Sequence, residues 1–176
     1  MGATRGRSIL GIIQNGKIEL RELIRFPDKI ICIQDKNYWD IFALYEAMKE
    51  GLATAASQDI SFDAIGIDTW GVDFVYVGED GSLLSQPRSY CDPYTNGIAK
   101  EYFKLIPKKT VYNYTGTQIS FYQLYAAKCK NYPAFNAAEG ILFMPDTLLY
   151  LLTGKRICEY TIASTSQLLN PKSKKF

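Results

Sequence analysis

The stretch that decides the fold is IGIDTWGVDF, residues 65–74. A short apolar run ends in Asp68, a Trp-Gly pair follows, and a second carboxylate, Asp73, precedes another apolar run. Polar groups at such a strand-to-strand connection can converge on a small polyol, and Gly71 permits close backbone approach to it. Composition alone favours a simpler interpretation, a tight turn with Trp70 in the core and both acids in solvent.

Three antiparallel strands are predicted before this stretch. Segments 8–14 and 17–26 are β-compatible, and the second alternates apolar with polar residues. The Asn-Gly pair between them suits a type I′ hairpin turn. A Pro-Asp turn at 27–28 then leads into a third short strand at 29–34.

A helix and a further strand pair connect these strands to the deciding stretch. Asp40 can cap a helix whose apolar residues recur at three- and four-residue spacing. These residues are Ile41, Leu44, Tyr45, Met48, Leu52 and Ala55. Residues 63–68 predict a strand parallel to the first, followed by a hairpin into 72–77. The result would be a mixed sheet.

The second half of the chain is predicted to be mainly helical. Helices are predicted at 95–106, 108–114, 122–131 and 145–153, with a strand at 141–144. The last helix has Pro near its start and Gly154 at its end, which are the positions where these two residues are most common in helices. Since no linker or internal repeat interrupts the pattern, the chain is predicted to be one α/β unit.

Length and charge exclude several classes of protein. At 176 residues and 47% apolar content, the chain can bury one substantial core. A net charge of +2, from 20 basic and 18 acidic residues, argues against a broad nucleic-acid or membrane surface. With no signal peptide and no run of eighteen apolar residues, we expect a cytoplasmic protein with reduced thiols.

The chain contains four cysteines and no histidine. The cysteines are far apart and form no CxxC pair, which argues against a structural zinc site. Ser-His-Asp and Cys-His catalysis are excluded, so a general base must be a carboxylate, Lys, Tyr or Cys.

The opening residues, GATRGR at 2–7, are small and basic. Glycines allow the backbone to bring successive N–H groups against an anion, and Thr4, Arg5 and Arg7 can add directed contacts. A phosphate-holding turn normally follows a β-strand, however, and no strand precedes this one. Taken alone, the string is more often an ordinary hairpin than a phosphate site.

Five sequence blocks together resemble a known family. They are GATRGR at 2–7, IGIDTWGVDF at 65–74, YCDPYTNG at 90–97, LFMPDTLLYLLTG at 142–154 and CEYTIASTSQLLN at 158–170. In this order and spacing they resemble the amino-terminal domain of the FGGY carbohydrate kinases. The long block at 65–74 is similar to the corresponding sequence in the branch of the family that phosphorylates L-rhamnulose.

The resemblance implies a fold and a reaction. The fold is α/β, an actin/hexokinase-type (ribonuclease H-like) ATPase domain with a mixed five-stranded sheet flanked by helices. The reaction is transfer of the γ-phosphoryl group of ATP, with Mg²⁺, to the 1-hydroxyl of L-rhamnulose in rhamnose breakdown. A related sugar such as fuculose or xylulose stays open as an alternative substrate.

The resemblance also implies roles for individual residues. The loop that touches the ATP phosphates corresponds to Ala3, Thr4, Arg5, Gly6 and Arg7. Gly71 corresponds to the glycine whose backbone meets the sugar, and Trp70 and Asp73 are candidate pocket residues. Asp68, at a predicted strand end, is a candidate for a water-mediated contact with Mg²⁺.

Several features depart from the family pattern. The general-base aspartate and the carboxy-terminal domain are expected beyond Phe176. Met1 takes the place of the residue between the family's strand-end aspartate and Gly2, so we expect the first strand to be cut and that aspartate to be lost. Arg5 is bulkier than usual, and the stretch around Gln118 and Tyr122 is shorter. We therefore expect an incomplete amino-terminal domain, residues 1–176, with little turnover unless the missing domain is supplied. The alternative is a non-catalytic sugar-binding or interaction module that retains the half-fold.

Overall fold

A long hairpin opens the fold. In the computed structural model, which describes residues 1–115, 120–170 and 173, strands β1 (Arg5–Gln14) and β2 (Lys17–Pro27) pair antiparallel. Asn15 and Gly16 both have positive φ, 52° and 71°. These values confirm the predicted type I′ turn.

A second, shorter hairpin follows, formed by β3 (Ile30–Ile33) and β4 (Lys36–Trp39). The prediction of a third strand in the first sheet was wrong, because β3 pairs with β4. Gln34 and Asp35 both have positive φ, 48° and 62°, so the chain turns back at once. This turn has no glycine, which explains why the sequence did not indicate it.

Helix α1 (Ile41–Ser57) follows β4 directly, with Asp40 as its predicted cap. The Asp40 carboxylate accepts a hydrogen bond from the Ala43 amide at 3.0 Å. The helix buries Ile41, Leu44, Met48, Gly51 and Ala55. A Cβ added to Gly51 would lie 2.1 Å from the Ser8 hydroxyl, so the helix packs directly on β1.

The strand predicted at 63–68 does not form. This segment is mostly exposed and pairs with no strand in the described part of the chain; the Asp68 carbonyl accepts a hydrogen bond from the Met1 amino group at 2.5 Å. A ladder needs repeated pairs of such bonds. Within the described ranges the strands form three two-stranded antiparallel sheets, so the mixed five-stranded sheet is not confirmed.

The third sheet lies in the interior. Strand β5 (Phe74–Val77) is fully buried and pairs antiparallel with β6 (Gly140–Phe143). Helix α6 (Met144–Thr153) continues from β6 and ends at Gly154, whose φ of 70° confirms the predicted termination.

The described residues form five further helices. They are α2 (Ile98–Leu105), α3 (Lys108–Thr115), α4 (Ser120–Cys129), α5 (Pro133–Ala137) and α7 (Tyr160–Ser164). The helix predicted from residue 95 begins later, at Ile98. Pro93–Thr95 form a separate 3-10 turn, and Gly97, with a φ of 81°, lies at the N-cap of α2. None of the described helices is both long and apolar enough to cross a membrane.

The buried residues form two clusters. The first packs α1 and α6 with the ends of β2 and β4, and the second surrounds β5, β6 and α4. Trp70 packs against the first cluster, whereas Phe74 belongs to the second. The short connection between these two residues therefore joins the two halves of the core.

Candidate functional site

The connection between Trp70 and Phe74 contains a strained residue. Val72 has a φ of 74°, in the left-handed region. A β-branched residue is a genuine outlier there, since its side chain crowds the backbone. Such a conformation costs about 1–3 kcal/mol and persists only when surrounding contacts hold it.

Asp73, the next residue, is almost completely buried, with 1% of its surface exposed. Its Oδ2 accepts hydrogen bonds from Trp39 Nε1 at 2.6 Å, Trp70 Nε1 at 3.0 Å and the Tyr90 amide at 3.3 Å. Its Oδ1 accepts one from Gln123 Nε2 at 2.8 Å. Burial raises the pKa of Asp73, and the donors oppose that shift. The carboxylate thus ties four segments together.

The two tryptophans form a pair around this carboxylate. Their ring centroids lie 4.3 Å apart with the planes tilted by 43°. Trp39 is fully buried, whereas Trp70 remains partly exposed beside Gly71. The Trp70 indole is therefore held at its N–H and against a buried ring, while the residue as a whole stays partly exposed.

Gly71 lies against a segment from the far end of the chain. A Cβ added to Gly71 would lie 3.1 Å from the Thr165 hydroxyl oxygen, so a larger residue would require movement there. Two residues later, Gln167 has a φ of 64° and is 3% exposed. The structure thus brings the block at 158–170 beside the block at 65–74.

The predicted phosphate loop divides between a turn and a strand. Gly2, Ala3 and Thr4 form a turn in which the Gly2 amide donates to the Arg5 carbonyl at 2.9 Å. Arg5, Gly6 and Arg7 belong to β1. The side chains of Thr4, Arg5 and Arg7 are exposed, and Arg7 Nη1 lies 3.8 Å from Glu22 Oε2.

Gly6 also has a packing explanation. A Cβ added to Gly6 would lie 2.1 Å from the Phe26 ring, which faces it across the hairpin. A glycine is needed at this position for the packing of Phe26, whatever the loop binds.

The amino-terminal turn and Asp68 are close in space. The Met1 amino group donates to the Asp68 carbonyl, and Met1 and Ala3 pack against the same core cluster as Trp70. Asp68 itself is exposed. Among the described residues, no group of three potential metal-ligating side chains is present. One carboxylate suffices for Mg²⁺ that is held mainly by phosphates and water, so Asp68 fits that limited role.

Helix α4 lies beside the site. Gln118 lies outside the described residues. Tyr122 is half-buried and packs on Tyr102, with ring centroids 6.2 Å apart, and burial raises its pKa. It is Gln123 that reaches the site, by its bond to Asp73. The sequence analysis missed Trp39 and Gln123, which no local motif marks.

Comparison with known proteins now identifies the family. The model of the N-terminal domain of the FGGY family of carbohydrate kinases matches residues 1–176. The chain belongs to this family. It is 48% identical over 174 residues to a rhamnulokinase of Bacteroides thetaiotaomicron, covering 97% of this chain and 36% of that protein. It is 41% identical over 180 residues to a rhamnulokinase of Oceanobacillus iheyensis, covering 100% of this chain and 38% of the relative.

Solved structures of sugar kinases have the same fold as this chain. A ligand-bound xylulose kinase from Lactobacillus acidophilus matches with a TM-score of 0.83 and 21% identity, over 99% of this chain and 36% of that one. The glycerol kinase of Plasmodium falciparum with ADP matches with a TM-score of 0.73 and 14% identity, over 99% and 37%. The chain therefore spans little more than a third of the proteins that it resembles.

Proposed function

We propose that this chain is the amino-terminal, sugar-binding domain of an ATP-dependent rhamnulokinase. The proposed reaction is transfer of the γ-phosphoryl group of ATP to the 1-hydroxyl of L-rhamnulose. The observation that carries the proposal is the connection at 70–73, with Gly71 packed against Thr165, in a chain 48% identical to a rhamnulokinase. Fuculose and xylulose are the alternative substrates that the experiment below distinguishes.

In this proposal the sugar lies against Trp70 and Gly71. Trp70 is partly exposed, and its indole would offer an apolar surface to the carbon skeleton, while glycine lets the backbone approach the sugar closely. Asp73 is turned inward, so its proposed role is to hold the Trp70 indole. Phosphoryl transfer depends mainly on positioning, which this arrangement supplies for the sugar.

The nucleotide side of the proposal uses the amino-terminal turn. We assign the ATP phosphates to the loop residues Ala3, Thr4, Arg5, Gly6 and Arg7, whose cations and backbone amides suit an anion. Asp68 would hold Mg²⁺ through water, and that ion would neutralise phosphate charge when bound. The amino-terminal turn lies close to Asp68, which supports placing the ATP phosphates and Mg²⁺ next to each other.

The acceptor of the hydroxyl proton is assigned to a carboxy-terminal kinase domain. The chain spans 36% of its relative from Bacteroides thetaiotaomicron, so most of that protein lies outside the matched region. We expect residues 1–176 alone to bind sugar and to turn over little or not at all. We propose that the protein is located in the cytoplasm.

A chimera tests the proposal. The 174 matched residues of the Bacteroides thetaiotaomicron rhamnulokinase are replaced by this chain, and ADP release is measured with L-rhamnulose, L-fuculose and D-xylulose. We expect turnover that is fastest with L-rhamnulose, whereas the isolated chain shows little. A folded chimera that prefers another of these sugars would contradict the substrate. Saturable sugar binding by the isolated chain, with an inactive chimera, would favour the non-catalytic module.

A further inference from the structure

The first turn of α4 contacts two consecutive residues of the site. The Ser120 hydroxyl donates to the Val72 carbonyl at 2.6 Å, and Gln123 Nε2 donates to Asp73 Oδ1 at 2.8 Å. Ser120 and Gln123 are three residues apart, so they lie on the same face of the helix. Their exposed fractions are 0% and 1%.

Such burial needs a reason. A buried hydroxyl or amide is destabilising unless it is hydrogen-bonded, and an apolar residue would fill the same space without that requirement. Here both polar groups point to adjacent residues of one short connection, and Val72 in that connection is left-handed. Strain of this kind is retained only where neighbouring contacts enforce it. Ser120 and Gln123 provide those contacts.

We infer that Ser120 and Gln123 are positioning residues for sugar binding, and this inference rests on the proposed function. By holding the Val72 carbonyl, Ser120 fixes the peptide plane between Val72 and Asp73, one residue after Gly71. By holding Asp73, Gln123 fixes the acceptor of the Trp70 indole N–H. Neither side chain touches the sugar. Ser120 acts through the backbone next to Gly71, and Gln123 acts through Asp73 on the Trp70 ring.

The simpler explanation is that both side chains only satisfy the core. A matched control is available in Thr147 of α6, which is fully buried and donates to the Leu142 and Phe143 carbonyls at 3.1 and 2.9 Å. Thr147→Val removes a buried hydroxyl away from the site, as Ser120→Ala removes one at the site. Only a positioning role predicts that the two variants differ in sugar binding.

The kinetic test uses the chimera with Ser120→Ala, Gln123→Met and Thr147→Val. Because loss of one buried hydrogen bond corresponds to about a tenfold change in an equilibrium, we expect KM for L-rhamnulose to rise about tenfold in the first two variants. KM for ATP should stay within about twofold. Ser120→Thr, which keeps the hydroxyl, should restore the sugar KM. Thr147→Val should leave it unchanged.

A second readout needs no activity and uses the 176-residue chain. Ser120→Ala should speed amide hydrogen exchange at residues 71–73 by about tenfold beyond any global change, and Thr147→Val should not. The chain has two tryptophans, and both indoles donate to Asp73, so Gln123→Met should shift both indole N–H signals in NMR spectra.

The outcomes separate the two claims. Unchanged exchange at residues 71–73 in Ser120→Ala overturns the positioning role, and so does an equal rise of the sugar KM in Thr147→Val. An inactive chimera carrying the wild-type residues counts against the proposed function instead. In that case the exchange and NMR measurements still decide whether α4 holds the connection.

Discussion

At the scale of single residues, the environment of Asp73 gives a sharp expectation. In Asp73→Asn the amide oxygen can take the place of Oδ2 and accept from both indoles, and the Gln123 amide can flip to meet the new NH₂. Asp73→Leu leaves several buried donors without an acceptor, which should cost at least about 3 kcal/mol.

We therefore expect Asp73→Asn to lose less than half as much unfolding free energy as Asp73→Leu in urea denaturation. Equal losses would show that the negative charge, rather than the hydrogen-bond pattern, holds this part of the core.

At the scale of elements, the hairpin of β1 and β2 tests why Gly6 is a glycine. Gly6→Ala places a methyl group where the Phe26 ring lies, so we expect a loss of about 1–3 kcal/mol from overpacking. In a protein that already carries Phe26→Leu, Gly6→Ala should lower the unfolding free energy by less than it does in the wild type, as measured by urea denaturation. A double variant with additive losses would contradict the packing explanation and favour a loop role for Gly6.

The junction of α6 with the segment before α7 should respond to pH. Asp146 is 3% exposed, and burial raises its pKa from 3.8 to about 6, with the Glu159 charge adding to the shift. The folded state therefore binds more protons than the unfolded state between about pH 4 and pH 6, and stability falls as pH rises through that window.

Asp146→Asn removes this effect while keeping an acceptor for the Glu159 amide. The variant should gain stability over the wild type from about pH 4 to pH 6, and the gain should level off above that range. The gain in unfolding free energy cannot exceed roughly 3 kcal/mol. Urea denaturation at several pH values measures the difference, and a difference independent of pH would refute the shift.

At the scale of the whole molecule, one face of the first hairpin is apolar and exposed. Ile13 pairs with Ile18 across the hairpin, and Leu20 lies on the same face; their exposed fractions are 77%, 68% and 68%. Apolar patches on strands favour association. We expect the isolated chain to self-associate at high concentration, as measured by light scattering after gel filtration.

A double variant, Ile18→Thr with Leu20→Thr, should reduce this association while keeping β propensity. Ile12, whose side chain points to the opposite face, provides the control Ile12→Thr. A chain that stays monomeric, or a control variant that is equally effective, would contradict the role of this face.

Much of the secondary structure could be predicted because its signals are local. The Asn15-Gly16 turn, the Asp40 cap and the Gly154 termination each depend on residues within one turn of chain. Strand pairing could not be predicted in the same way. Strand β3 was expected beside β2 and the segment at 63–68 in a parallel strand, yet pairing depends on contacts between distant segments.

For the candidate site, the sequence by itself determined the family and the grouping of Trp70, Gly71 and Asp73, since these residues are neighbours in one block. Only the tertiary structure decided that Asp73 faces inward. A buried carboxylate is stable only where donors offset its lost hydration, and here most of them come from other segments: Trp39, the Tyr90 amide and Gln123. These donors are distant in sequence and come together only on folding, so no local sequence pattern indicates that they contact Asp73.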